Sequence, residues 1–100
     1  MNLQPEKIPP RYSLKLFITG RTAKSDLAVA NIQQFFAKQK VAFDLVVIDL
    51  LESPQLAEEY RIMATPTLLK TAPLPVQRII GDFTDVGKVA IGLGFAAREQ

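Results

Sequence analysis

The chain has no cysteine and no histidine. Without cysteine there is no disulfide, no thiolate nucleophile and no zinc site of the usual structural kind. Without histidine there is no imidazole for acid–base work at neutral pH. Charge of one sign is also scarce: 12 basic against 10 acidic residues leave a net charge of +2. That balance argues against nucleic acid as the main partner. Long hydrophobic runs are missing, so no membrane span is expected, and no signal-peptide pattern opens the sequence. A soluble cytoplasmic protein is the expectation.

What is present suffices for one core. The length is 100 residues, 48% of them hydrophobic, which suits one domain and leaves no room for two. Residues 1–11 carry Pro5, Pro9 and Pro10 with few apolar neighbours and read as a flexible arm. Residues 12–97 read as the domain and 98–100 as a tail.

Within the domain, residues 12–19 alternate: Tyr12, Leu14, Leu16 and Ile18 face one way, and Ser13, Lys15, Phe17 and Thr19 the other. This is a strand. Thr22 or Ser25 can cap the helix that follows, to about Gln39. Its apolar face carries Ala28, Val29, Ile32, Phe35 and Phe36, with Leu27 toward the polar side. Residues 41–51 are almost continuously apolar, as in a parallel strand buried on both faces. Ser53-Pro54 starts a second helix, with Leu56, Tyr60 and Met63 on its inner side and Thr65-Pro66 as its stop. Residues 67–71 and 76–81 read as strands joined by Ala72-Pro73-Leu74-Pro75.

The last segment fits two templates. At helical spacing Val86, Val89, Ala90 and Leu93 form a stripe, with Thr84 or Asp85 as cap. At period two Val89, Ile91, Leu93 and Phe95 alternate with Ala90, Gly92, Gly94 and Ala96. Gly87, Gly92 and Gly94 each cost a helix roughly 1 kcal/mol against alanine, and glycine weakens strands too.

The order strand, helix, strand, helix, Thr65-Pro66, strand, strand, helix resembles the thioredoxin-like α/β class. The place of a redox Cys-x-x-Cys reads Gly20-Arg21-Thr22-Ala23-Lys24-Ser25, so thiol exchange has no nucleophile. Ser25 is the one candidate for holding a glutathione thiolate, with capping as its plainer job. Gly92-x-Gly94 is too short for a phosphate loop. Asp44, Asp49, Asp82 and Asp85 do not follow metal-ligand spacing, and no cofactor is expected. Arg61 and Arg78 would form one positive patch if their elements are neighbours, steering an acidic partner.

Three stretches then carry a closer resemblance: Asp49-Leu50-Leu51-Glu52-Ser53-Pro54-Gln55-Leu56-Ala57-Glu58-Glu59, Ile62-Met63-Ala64-Thr65-Pro66-Thr67-Leu68, and Pro73-Leu74-Pro75-Val76-Gln77-Arg78-Ile79-Ile80-Gly81-Asp82. With Leu14-Lys15-Leu16-Phe17-Ile18-Thr19-Gly20 they closely resemble the circadian clock protein KaiB family. The resemblance implies a non-enzymatic, metamorphic protein. One state self-associates, as tetramer or dimer, with a different second half (the KaiB ground-state fold). The other is thioredoxin-like and binds a KaiC-like ATPase ring, with a KaiA-like protein or a sensor histidine kinase as further partners. It implies Arg61 and Arg78 as partner-binding residues, and Pro66, Pro73, Pro75, Gly92 and Gly94 as the residues of the switch. Helix propensity predicts that Gly92→Ala favours the helix-ended form and raises partner binding. Leu27, Gln77 and Gly94 depart from the family pattern (arginine, arginine and an acid). The departures at Leu27 and Gln77 weigh against a KaiA-like partner and point to a paralogue or a stress-adaptation role, and Gly94 changes the helix balance. The alternatives are a glutathione-using enzyme built on Ser25 and a detached KaiB-like sensor domain of a histidine kinase. The absence of kinase-like sequence up to Gln100 makes the latter less expected.

Overall fold

The computed structural model describes residues 10–95. Most of the expected arm, part of the expected domain end and the whole expected tail lie outside the described residues. The elements run β1 Tyr12–Ile18, α1 Ala23–Gln39, β2 Phe43–Asp49, α2 Gln55–Glu59, β3 Thr67–Ala72, β4 Gln77–Ile80 and α3 Val86–Gly92. The sheet order is β2-β1-β3-β4, with β1–β2 parallel and both β1–β3 and β3–β4 antiparallel. This is the thioredoxin-like α/β arrangement that the sequence predicts.

The alternation in β1 explains its central place. Leu14, Leu16 and Ile18 pack with Ala28, Ile32, Phe35 and Phe36 of α1, with Leu68 of β3, and with Val89 and Leu93 of α3. Phe17 points the other way and is buried with Leu50 and Leu69 beneath Leu56, Ala57, Tyr60 and Ile62. The sheet therefore has α1 and α3 on one face and the single turn of α2 on the other.

Five expectations are corrected. The strand expected to be buried on both faces is the edge strand β2. Phe43, Leu45 and Val47 pack against the α1-side core, but Val46 on the other face is exposed, because α2 is too short to reach it. The second helix has five residues and ends at Glu59 rather than at Thr65-Pro66. Met63 consequently lies beyond it, 91% exposed, not on its inner face. Ser53 makes no side-chain cap there: Pro54 occupies the cap position, and Ser53 contributes its carbonyl to Leu56 N–H. Finally, Val86 is exposed, so the core-facing part of α3 is Val89, Ala90 and Leu93.

Candidate functional site

The site is set by how the chain leaves α2. Tyr60 closes the turn, with its N–H donating to the Leu56 carbonyl at 3.0 Å. Arg61 then adopts a left-handed conformation, φ 56°, which L residues other than Asn and Asp adopt at a cost. That reversal sends Ile62 back into the core, its N–H donating to the Ala57 carbonyl at 2.8 Å, and leaves the Arg61 and Met63 side chains outside. Thr67 at the start of β3 ties down the following loop, its hydroxyl donating to the Ala64 carbonyl at 2.6 Å.

β4 completes the site. Arg78 and Ile80 pair with Leu69 and Thr67 across the β3–β4 ladder, so their side chains share the α2 face. The Arg78 guanidinium spans from β4 to the end of α2: Nη1 donates to the Arg61 carbonyl at 3.1 Å and Nη2 to the Tyr60 carbonyl. Arg61, Met63, Thr67, Arg78 and Ile80 line one shallow depression. The structure thus brings the two predicted arginines together, although Arg61 sits in the turn after the helix and not on it. Met63 and Ile80 were missed as part of this surface. The alternation of Ile80 with Arg78 was the available signal, whereas Met63 carried a helical reading that the short α2 removes.

The predicted switch residues lie elsewhere. α3 sits on the opposite face, capped by Asp85, whose carboxylate accepts from Lys88 N–H at 3.1 Å. Gly94 follows it at φ 83°. Gly94 N–H donates to the Ile91 carbonyl at 3.1 Å and Phe95 N–H to the Ala90 carbonyl at 2.9 Å, the hydrogen-bond pair of a Schellman ending. In this structure, then, the segment with two periodicities is a helix, and Gly94 is the residue that ends it. Gly92 faces Ile79: a Cβ there would stand 2.8 Å from Ile79 Cδ1 and 2.9 Å from Cγ1. The gain expected from helix propensity at Gly92 is therefore offset by a clash. The peptide bonds preceding Pro66, Pro73 and Pro75 are cis. Pro66 heads β3 and accepts Gly81 N–H at 3.0 Å.

A second small cleft at the start of α1 is lined by Ile18, Thr19, Thr22, Lys24, Ser25, Thr65 and Pro66. The Thr19 and Thr65 hydroxyls meet across it at 2.8 Å. Ser25 is buried and fully engaged in a capping box. Its hydroxyl accepts Thr22 N–H at 2.8 Å and donates to the Thr22 carbonyl at 2.9 Å, while Ser25 N–H donates to Thr22 Oγ1 at 3.1 Å. This leaves the glutathione reading without the hydroxyl it needs. Among the described residues no group of three or more His, Cys, Asp or Glu is placed to hold a metal ion. No helix there is long and apolar enough to cross a membrane.

Burial lowers the pKa of Lys70, which lies on the α1–α3 side of β3 with its ammonium donating to the Pro73 carbonyl. Asp82, before α3, is held below the usual carboxylate range by the hydroxyl and amide of Thr84. At the far edge, Arg11 forms a two-point ion pair with Asp44 of β2, at 2.6 and 2.8 Å.

The family model described as the KaiB domain matches residues 15–95. The circadian clock oscillator protein KaiB of Prochlorococcus marinus (strain NATL2A) is 51% identical over 83 residues, 82% of this chain and 78% of that protein. Among solved structures, the N-terminal domain of Synechococcus elongatus SasA superposes with a TM-score of 0.70 at 26% identity, covering 100% of this chain and 99% of that one. The germline-specific thioredoxin Deadhead of Drosophila melanogaster reaches a TM-score of 0.65 at 14% identity, over 87% and 82% of the two chains, and shows the fold alone. By its sequence from residue 15 to residue 95, the chain belongs to the KaiB family.

Proposed function

We propose that this protein binds a KaiC-like ATPase ring in its helix-ended, thioredoxin-like state, with Arg61 and Arg78 as the charged part of the contact. The observation that carries the reading is the shared depression of Arg61, Met63, Thr67, Arg78 and Ile80. It joins two cations to exposed apolar side chains on a face that α2 leaves bare. Likeness to the SasA N-terminal domain over the full chain supports a sensor histidine kinase as a competitor for the same partner or as a partner itself. The protein is placed in the cytoplasm on this reading and self-associates when free, as tetramer or dimer. The switch between the two states is assigned to Pro66, Pro73, Pro75, Gly92 and Gly94.

Leu27 is exposed on α1, and Gln77 lies at the start of β4. Neither offers a cation, which disfavours a KaiA-like partner and favours a clock paralogue or a stress-adaptation output. The test is co-sedimentation of the purified chain with a KaiC-like ATPase from the same host. Binding is expected, weakened by Arg61→Glu and by rising salt. A ring that binds wild type and Arg61→Glu alike would remove the assignment of the site.

A further inference from the structure

We propose that the free edge of β4 accepts an extended partner segment as a fifth strand, one that carries an acidic and an apolar side chain two residues apart, on the same face. β4 ends the sheet. Gly81 N–H donates to the Pro66 carbonyl, and antiparallel bonding alternates along a strand. With Thr67 opposite Ile80 and Lys70 opposite Gln77, Gln77 and Ile79 bond inward to β3. The amide and carbonyl of Arg78 and Ile80 point outward. The two residues with outward main-chain groups are also those whose side chains line the depression.

A strand laid on this edge takes main-chain hydrogen bonds from Arg78 and Ile80, and every second side chain lies over the same face. One such side chain meets Ile80 and Met63, 63% and 91% exposed. The next meets the Arg61–Arg78 cations, which select a carboxylate. Arg78 is already held by two main-chain carbonyls, so little side-chain freedom is lost on binding.

A second copy fits less well. Its own β4 brings a like-charged Arg61–Arg78 pair to the same edge, and the carboxylate on its β2 edge, Asp44, is engaged by Arg11. The inference deepens the docking role proposed above, but its first test does not depend on it.

The probe is the capped peptide Thr-Ile-Thr-Glu-Thr-Ile-Thr, whose Ile and Glu stand two residues apart and so share one face of a strand, titrated into the full chain and followed by amide NMR shifts and hydrogen exchange. Arg78 and Ile80 amides are expected to shift and slow, with Gln77 and Ile79 unchanged. The same peptide with Lys in place of Glu is expected to bind roughly tenfold more weakly, the scale of one or two exposed charge contacts. Equal response to both peptides, or no response at Arg78 and Ile80, overturns the proposal. So does the same response on concentrating the protein alone, which assigns the edge to a second copy. With the ATPase ring, protection confined to other residues overturns strand addition while leaving docking intact. Failure of the ring to bind, with the peptide result as expected, overturns docking and leaves the edge site standing.

Discussion

Gln77 on β4 lies against Gly94 at the end of α3. A methyl group built on Gly94 would sit 3.4 Å from Gln77 Nε2 and 3.6 Å from Oε1, and that Oε1 is buried without a hydrogen-bond partner. Two positions that the resemblance marks as departures from the family pattern are therefore in contact, which links them physically. Gly94 at φ 83° gives α3 an unstrained ending. Gly94→Asp is expected to cost the helix-ended form about 1 kcal/mol through left-handed strain. Adding Gln77→Arg places a cation beside the new carboxylate and is expected to return a few tenths to about 1 kcal/mol. Urea unfolding of the two singles and the double measures this. Strict additivity would break the proposed link.

Gly92 shows why propensity alone does not predict the switch. Alanine there gains about 1 kcal/mol of helix propensity. Its Cβ, however, meets Ile79 at 2.8 Å, and turning that half-buried side chain off its rotamer costs about 0.5–1.5 kcal/mol. The single Gly92→Ala variant is expected to change the helix-ended population little. In an Ile79→Ala background both blocking atoms, Cδ1 and Cγ1, are gone, and the same substitution is expected to favour the helix-ended form and tighten ring binding. NMR populations of Ile79→Ala with and without Gly92→Ala decide it. No gain in that background would show that the glycine is held by something other than Ile79.

Much of this fold was legible because one pattern had one solution. In β1, even-numbered residues are apolar and face α1, so alternation gave the strand, its orientation and its place in the core. The stripe Ala28, Ile32, Phe35 and Phe36 did the same for α1. The apolar run around β2 was read as a strand covered on both faces, but apolarity does not report which strand lies at the edge. That depends on sheet order, and β3 takes the other side of β1. The length of α2 was hidden because Leu56, Tyr60 and Met63 keep helical spacing past the point where Arg61 reverses the chain. Arg61 and Arg78 could be named from sequence as a pair. Their meeting needed the antiparallel β3–β4 turn and the carbonyl contacts of Arg78, which no spacing encodes.

Lys70 was not singled out in the sequence, and it is 2% exposed. Its ammonium donates to the Pro73 carbonyl and lies 5.9 Å from the centre of the Tyr12 ring. Among the described residues no carboxylate is paired with it. Burial lowers its pKa from 10.5. The folded state therefore binds fewer protons than the unfolded chain between the lowered value and 10.5. The penalty is complete below that window and is relieved as pH rises through it, so stability should increase with pH there. Lys70→Met keeps the volume and removes the charge, and is expected to stabilise the fold by about 1 kcal/mol while abolishing this slope. Denaturation midpoints of both proteins across alkaline pH test the sign. Parallel curves would contradict it.

Arg61 and Arg78 differ in what each does for the fold, and this permits binding to be separated from stability. Arg78 ties β4 to the end of α2 through the Tyr60 and Arg61 carbonyls. Its loss frees those acceptors and loosens the turn over Phe17 and Leu69, so Arg78→Ala is expected to cost about 1 kcal/mol as well as partner affinity. Arg61 supplies charge from a backbone at φ 56°. Glycine relieves that conformation, so Arg61→Gly is expected to leave stability unchanged or raise it by up to about 1 kcal/mol. The same substitution removes half of the paired charge and should slow association with an acidic partner, with a weaker salt dependence. Thermal midpoints read beside association rates give the contrast: Arg78→Ala lowers both, Arg61→Gly lowers only the rate. A drop in midpoint for Arg61→Gly as large as that for Arg78→Ala would mean that the Arg61 side chain, and not only its carbonyl, holds the turn together.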